Sequence, residues 1–265
     1  MATLVFFHAH PDDESINTSG AMARAAAEGH RVVLAVATAG EEGEVAEGFL
    51  DEGERLGDRR RAETDASATA LGVARTVFLD YRDSGMMGTE ANDHAASFWR
   101  APVPEAAERL AALLREESAD VLVAYDSNGG YGHPDHIQVH RVGHAAADLA
   151  GTPRVFEATT NRDRVKEQVA QAREAGVEGF EDEDESFYDT LGMPDAEITT
   201  EVDVTDFLEQ KRASLRAHAS QIPEDSWFLS MSPPAFEAAF GIESYIRTRP
   251  PFEGRIPEDR EDWLV

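Results

Sequence analysis

Through the first 160 residues, short apolar runs alternate with longer stretches that mix Ala and Leu with Arg and Glu. Runs at 4–9, 31–38, 76–81, 121–125 and 154–160 are rich in β-branched or aromatic residues, which predicts five strands. Between them, 19–28, 54–71, 104–117 and 134–149 are long enough to be crossover helices, and Gly29 and Gly72 stand where helix ends belong. Strands and helices in strict alternation make right-handed βαβ units. The fold class expected is α/β: a Rossmann-like, mostly parallel sheet flanked by helices. In the doubly wound order the first and fourth strands lie side by side, and the loops after them open into one crevice.

Beyond residue 160 the pattern weakens. A helix is expected at 164–175, a solvated acidic loop at 181–185, a strand at 198–204 and a helix at 207–220. Pro223, Pro233, Pro234, Pro250, Pro251 and Pro257 break up the tail. That reads as an irregular C-terminal cap. With no clear linker before it, the chain is read as one domain over 1–265, a core of about 1–160 carrying a cap of about 161–265.

Composition then narrows the chemistry. There are 52 acidic against 24 basic residues, a formal net charge of −28, which argues against nucleic acid or an anionic membrane as partner. No apolar run approaches a membrane span, and the N-terminus lacks a signal-peptide pattern, so a cytoplasmic location is expected. The chain has no cysteine, which removes thiolate metal sites, disulfides and cysteine nucleophiles together. A metal site here must be built from His, Asp and Glu.

Two clusters offer such donors. His8-Ala-His10-Pro-Asp12-Asp13-Glu14 directly follows the first strand, and five ionisable groups beside a buried strand are costly in a purely structural role. Asn128-Gly-Gly-Tyr131-Gly-His133-Pro-Asp135-His136 directly follows the fourth, with Pro134 suited to the first turn of the next helix. Two His/Asp loops would therefore face each other across one crevice. A competing site, His136 with His140 at helical spacing, lacks the glutamate of an HExxH arrangement, and His140 and His144 read as satisfied structural histidines. Arg60 in an Arg59–Arg61 run reads by itself as a surface ion-pair face, and Asp83 in Arg-Asp-Ser-Gly as a turn residue.

Ala9-His-Pro-Asp-Asp-Glu14 together with Gly132-His-Pro-Asp-His136 resembles the LmbE-like (PIG-L) zinc deacetylases, which remove acetyl groups from N-acetylglucosamine-type sugars. That family includes a mycothiol-pathway deacetylase and a mycothiol-conjugate amidase. The resemblance runs from about residue 4 to 221. It takes in Arg60-Arg-Ala-Glu63, the Arg82–Met86 loop, and Lys211 with His218-Ala-Ser-Gln221. It implies zinc (Fe2+ tolerates the same donors) held by His10, Asp13 and His136, and Asp12 as general base. It further implies that His133, oriented by Asp135, stabilises the charged intermediate as an imidazolium, and that Tyr131 reaches the acetyl oxygen. Arg60 and Asp83 would hold sugar hydroxyls, while Asn17 lies where members differ and bears on substrate choice.

The expected activity is zinc-dependent hydrolysis of the N-acetyl amide of a small N-acetylglucosaminyl conjugate. Alternatives are an amidase acting on a mycothiol S-conjugate, a metal-dependent phosphoesterase, and a sugar-binding relative without catalysis.

Overall fold

The central strand collects most of the early apolar run. The computed structural model describes residues 1–174 and 185–265, and in it β1 (Thr3–His8) is buried from Leu4 onward. Helices α1 (Asp13–Asn17) and α2 (Ser19–Ala27) follow. Next come β2 (Arg31–Thr38), α3 (Leu56–Leu71), β3 (Arg75–Tyr81), α4 (Val103–Glu116) and β4 (Val121–Tyr125). A single turn, α5 (Gly129–Gly132), leads into α6 (Pro134–Ala150) and β5 (Arg154–Thr159). The remainder holds α7 (Arg162–Glu174), α8 (Glu185–Thr190), β6 (Thr200–Asp203), α9 (Leu208–Ala217), α10 (Trp227–Ser230), α11 (Pro233–Phe240) and β7 (Ile242–Arg249).

The seven strands form one sheet in the order β3-β2-β1-β4-β5-β7-β6. The first five pair in parallel, with β1 between β2 and β4. The chain therefore reverses its winding at β1 and β4, where the crevice was expected. Burial on both faces explains why these strands read as apolar runs without alternation. Helix α3 stops where Gly72 takes φ +72°, a left-handed cap that a β-carbon would strain.

The tail is more regular than its prolines led us to expect. Pro233 and Pro234 open α11 instead of breaking it, because the first helical turn has no backbone donor to lose. Residues 242–249, in the same proline-rich stretch, form a strand inserted between β5 and β6 and antiparallel to both. The helix expected at 164–175 is present as α7; the acidic loop at 181–184 lies outside the described residues.

Helix α9 locks the tail onto the core through polar contacts. Lys211, 1% exposed, donates through Nζ to Glu243 Oε1 on β7 (2.8 Å) and to the Ile16 carbonyl (2.9 Å). Glu243 also accepts the N–H groups of Gly20 and Ala21 at the start of α2. Ser214 on α9 is 2.7 Å from Ser67 on α3 and 2.5 Å from Ser15 on α1. Leu215, Ile222, Leu229 and Phe236 form a second apolar cluster beneath this layer. No helix among the described residues is long and apolar enough to cross a membrane.

Candidate active site

The turn after β1 is built to aim carboxylates. Asp12 takes φ +97°, a conformation that strains any residue with a β-carbon by about 1–3 kcal/mol and persists only where its surroundings demand it. Here the Asp12 N–H donates to Glu14 Oε2 (3.1 Å) and the His10 N–H to Asp13 Oδ2 (2.8 Å). The chain is thereby curled so that the Asp13 carboxylate lies beside the His10 ring.

The loop after β4 brings in the second imidazole. Asp126 folds this loop, its Oδ1 accepting the N–H groups of Asn128 (2.9 Å) and Gly130 (3.0 Å). His136 donates through Nδ1 to the Gly129 carbonyl (3.2 Å), which leaves Nε2 as the free lone pair. Gly129 has φ +63°, and a β-carbon there would stand 2.5 Å from the His136 Cβ. Only glycine lets the loop approach the ligand helix so closely.

These pieces converge. His136 Nε2 lies 3.3 Å from Asp13 Oδ1 and 3.3 Å from His10 Nδ1, and His10 Nδ1 lies 3.5 Å from Asp13 Oδ2. Metal bonds of about 2.0–2.2 Å in a tetrahedron give edges of roughly 3.3–3.5 Å between ligand atoms, so the three donors fit zinc. Three protein ligands leave one position open, as catalytic zinc requires. His10, His133 and His136 also offer atoms within 4.8 Å of one another. His133, however, spends Nδ1 accepting the Asp135 N–H (3.1 Å), whereas Asp13 presents an oxygen to each of the other two rings.

The far side of His10 is held by carboxylates. Its Nε2 donates to Asp135 Oδ2 (3.2 Å) and lies 3.5 Å from Asp83 Oδ1. Asp135 is fully buried and is itself fixed by the Ser84 N–H (2.9 Å) and the Ser84 hydroxyl. A carboxylate behind a ligating imidazole fixes its tautomer and raises its donor strength. Asp135 thus serves two rings: its side chain braces His10, and its backbone N–H holds His133.

Burial opposes charge on His10, but Asp13, Asp135 and Asp83 outweigh that and raise its pKa well above the usual value. Burial likewise opposes ionisation of Asp13, and His136 and His10 reverse it, holding that carboxyl well below its ordinary range.

Arg60 is not part of a surface ion-pair face, while Asp83 holds the turn its sequence suggests. Arg60 is 4% exposed, and its guanidinium donates to the carbonyls of Gly40 (2.6 Å) and Pro11 and to Asp12 Oδ2 (3.1 Å). Asp83 is as deeply buried, accepting the N–H groups of Gly85 (2.8 Å) and Glu42 (3.2 Å). Both side chains are held by contacts within the protein.

Asp12 keeps its side chain 19% exposed, more than its partner Arg60. Burial pushes its pKa up to about 6, against the pull of the Arg60 charge, and Asp13 beside it adds to the rise. His133 is driven the other way. Burial, then the charges of His10 and His136, lower its pKa to about 4. With Nδ1 accepting the Asp135 N–H, the ring proton sits on Nε2, which is a hydrogen-bond donor. Tyr131 is 43% exposed, its ring centroid 5.1 Å from that of His136. Partial burial and then the Asp13 charge raise its pKa, so the phenol keeps its proton. Asn17 ends α1, one helical turn after Asp13 and partly buried.

Several contributors carried little sequence signal. Ser84, Asp126 and Gly129 act through backbone geometry that spacing does not reveal. Tyr125 sits with its ring 4.8 Å from His136 and its hydroxyl 2.6 Å from His8 Nδ1. Glu14 is fully buried against His218 Nε2 (2.6 Å) and the Ser67 hydroxyl (2.5 Å), a brace under the turn.

Comparison with known proteins bears on this arrangement. A family model described as PIG-L, GlcNAc-PI de-N-acetylase, matches residues 5–147, the span that holds every expected site residue. The 1D-myo-inositol 2-acetamido-2-deoxy-alpha-D-glucopyranoside deacetylase of Acidothermus cellulolyticus is 44% identical over 262 residues, covering 93% of this chain and 89% of that protein. Among solved structures, the N,N'-diacetylchitobiose deacetylase of Pyrococcus horikoshii aligns with a TM-score of 0.60 at 22% identity, over 92% of this chain and 83% of its own. The 4-carboxy-2-hydroxymuconate hydratase GalB of Pseudomonas putida aligns as well, with a TM-score of 0.59 at 18% identity over 97% of this chain and 100% of its own. The fold thus carries a hydratase as readily as a deacetylase, and the reaction must be argued from the site.

Proposed function

The chain belongs to the GlcNAc-PI de-N-acetylase (PIG-L) family, and from that membership we propose that it hydrolyses the N-acetyl amide of an N-acetylglucosamine joined to myo-inositol, the compound for which its relative is named. The observation that carries the reading is the meeting of His10 Nδ1, Asp13 and His136 Nε2 at tetrahedral edge lengths, with the adjacent Asp12 carboxylate outside that donor set and held by Arg60. Zinc is the metal proposed for these donors. When bound, it would lower the pKa of a water molecule toward neutrality and polarise the amide carbonyl.

The residues divide the remaining work. Asp12 takes the proton from the attacking water as its oxygen adds to the acetyl carbon. Asp12 then delivers that proton to the amide nitrogen as the C–N bond breaks, releasing acetate and the amino sugar. A carboxyl with a pKa near 6 is suited to both transfers, since it is ionised at pH 7 and still basic enough to accept. Arg60 holds Asp12 in place and keeps it ionised despite burial. His133 Nε2–H and the Tyr131 hydroxyl are the donors proposed for the oxyanion, and such donors act most strongly in a site closed to water. Asp135 and Asp83 keep His10 turned toward the metal. Contact with the sugar is left to more open positions, Asn17 among them.

The test measures amine release by the zinc-loaded chain from N-acetylglucosaminyl-inositol and a mycothiol S-conjugate, and phosphate release from a phosphomonoester. Turnover of the first above the others is expected. Preference for the S-conjugate would make it an amidase, phosphate release a phosphoesterase, and binding without turnover a sugar-binding relative.

A further inference from the structure

A second group of metal-type donors lies on α6, outside the site above. His140 and His144 stand four residues apart and so share one helical face, and Glu157 on β5 reaches up between them. The His144 Nε2 lies 2.7 Å from Glu157 Oε1 and the His140 Nδ1 3.3 Å from the same oxygen. The two rings are 4.6 Å apart between centroids, and one ligand atom from each of the three residues lies within 4.8 Å of the other two. We propose that His140, His144 and Glu157 form a second site for a divalent transition-metal ion, separate from the catalytic donors.

Four observations carry the proposal. Two imidazoles one helical turn apart with a carboxylate from a neighbouring element is a three-ligand set that suits zinc and its neighbours; magnesium and calcium prefer all-oxygen shells. The donors sit on a helix and a strand and not on mobile loops, which holds them in register. The Glu157 side chain is 9% exposed, and its ion-pair partners among the described residues are the two imidazoles, with no Lys or Arg competing for its oxygens. The histidine side chains are 24% and 30% exposed, so an ion has a path in and room to keep water ligands.

His140 Nδ1 is also 3.1 Å from the Tyr125 carbonyl, so a metal takes this ring through Nε2 or by drawing Nδ1 off that carbonyl. The Tyr125 ring lies on His136, which places the second site one residue's thickness from the first. The two still share no donor. Neither motif matched at the sequence level includes His140, His144 or Glu157, and the inference does not depend on the catalytic reading.

The test counts metal without asking for turnover. Metal-depleted full chain is titrated with Co2+ and followed by its visible absorption, in the wild type and in the His144→Ala, Glu157→Gln and His10→Ala variants. Both histidines are partly exposed and Glu→Gln preserves shape, so these chains should fold; circular dichroism checks that they do. The expected result is two equivalents in the wild type. His144→Ala should lose one and keep the other, Glu157→Gln should weaken the same one, and His10→Ala should lose the complementary one. A wild type that binds a single equivalent, lost in His10→Ala and kept in His144→Ala, overturns the second site and leaves the catalytic reading intact. A single equivalent lost in His144→Ala but kept in His10→Ala does the reverse.

Discussion

The carboxylate of Asp135 lies behind His10, its Oδ2 accepting the Nε2–H at 3.2 Å, and not behind His133. Two residues that neighbour each other in the HPDH stretch thus serve opposite ends of the site. Asp135 acts through the metal ligand, and His133 acts on the substrate side.

Replacing Asp135 by Asn should therefore weaken metal binding before it affects chemistry. Outer-shell partners of this kind typically contribute about 10–100-fold in affinity. Zinc competition against a chromophoric chelator should show that loss, with kcat largely restored at saturating zinc. Unchanged affinity with depressed kcat would return Asp135 to the role first expected of it. Stripping zinc from the wild type should abolish turnover and adding it back should restore it.

Asp12→Ala should keep its metal and lose turnover. A positioned base contributes about 10²–10⁴-fold, and the zinc donors are untouched by the change. Metal content per chain and kcat, measured on one preparation, decide the matter. Near-normal activity in a zinc-loaded variant would exclude Asp12 as the base.

The acid limb of kcat/KM should report Asp12. The base works ionised, so activity falls as pH drops through its pKa, raised to about 6 by burial. A bound cation nearby can only favour the ionised form, which places the limb at about 6 or below. Arg60→Gln removes the charge that opposes burial and should move the limb upward. Were Arg60 a sugar ligand instead, the variant would raise KM and leave the limb where it was.

Glu14 and His218 should govern acid stability. Buried without exposure and bonded to His218 and Ser67, Glu14 has its pKa lowered from 4.5 to about 2, since those partners outweigh the cost of burial. Its contribution is complete above the unfolded value of 4.5 and drains away as pH falls toward 2. His218→Ala should cost about 3–5 kcal/mol in urea unfolding at neutral pH, because it strands a buried charge. Adding Glu14→Gln to His218→Ala should recover part of that loss, a coupling that separate surface contacts would not show.

Much of this arrangement was legible in the residues, and the limits have physical causes. β2 and β4 have the expected bounds, because fully buried parallel strands are bare apolar runs. The side-by-side placement of β1 and β4, with both His/Asp loops in one crevice, followed once the usual doubly wound order was assumed for the alternating strands and helices. β7 was hidden by the prolines around it, although Ile242-Glu-Ser-Tyr-Ile-Arg-Thr-Arg249 carries β-branched and aromatic residues suited to a strand. Arg60 looked like surface because it lies in a run of arginines, and a helix periodicity of low contrast does not say which of three neighbours turns inward. The tautomer of His133 depends on a backbone N–H two residues on, a contact that exists only once the helix start has formed. Glu157 could not be joined to His140 and His144 before β5 was placed beside β4.

The insertion of β7 between β5 and β6 bears on how the chain is made. Every residue proposed for the catalytic site lies at or before His136, and all five parallel strands are complete by Thr159. The partner that covers the β5 edge arrives only at residues 242–249. On the ribosome, the growing chain therefore holds a finished set of metal ligands behind an unsealed sheet edge, the kind of edge that recruits other chains. A chain cut short before Ile242 would betray itself by sticking to its neighbours rather than by missing a catalytic group.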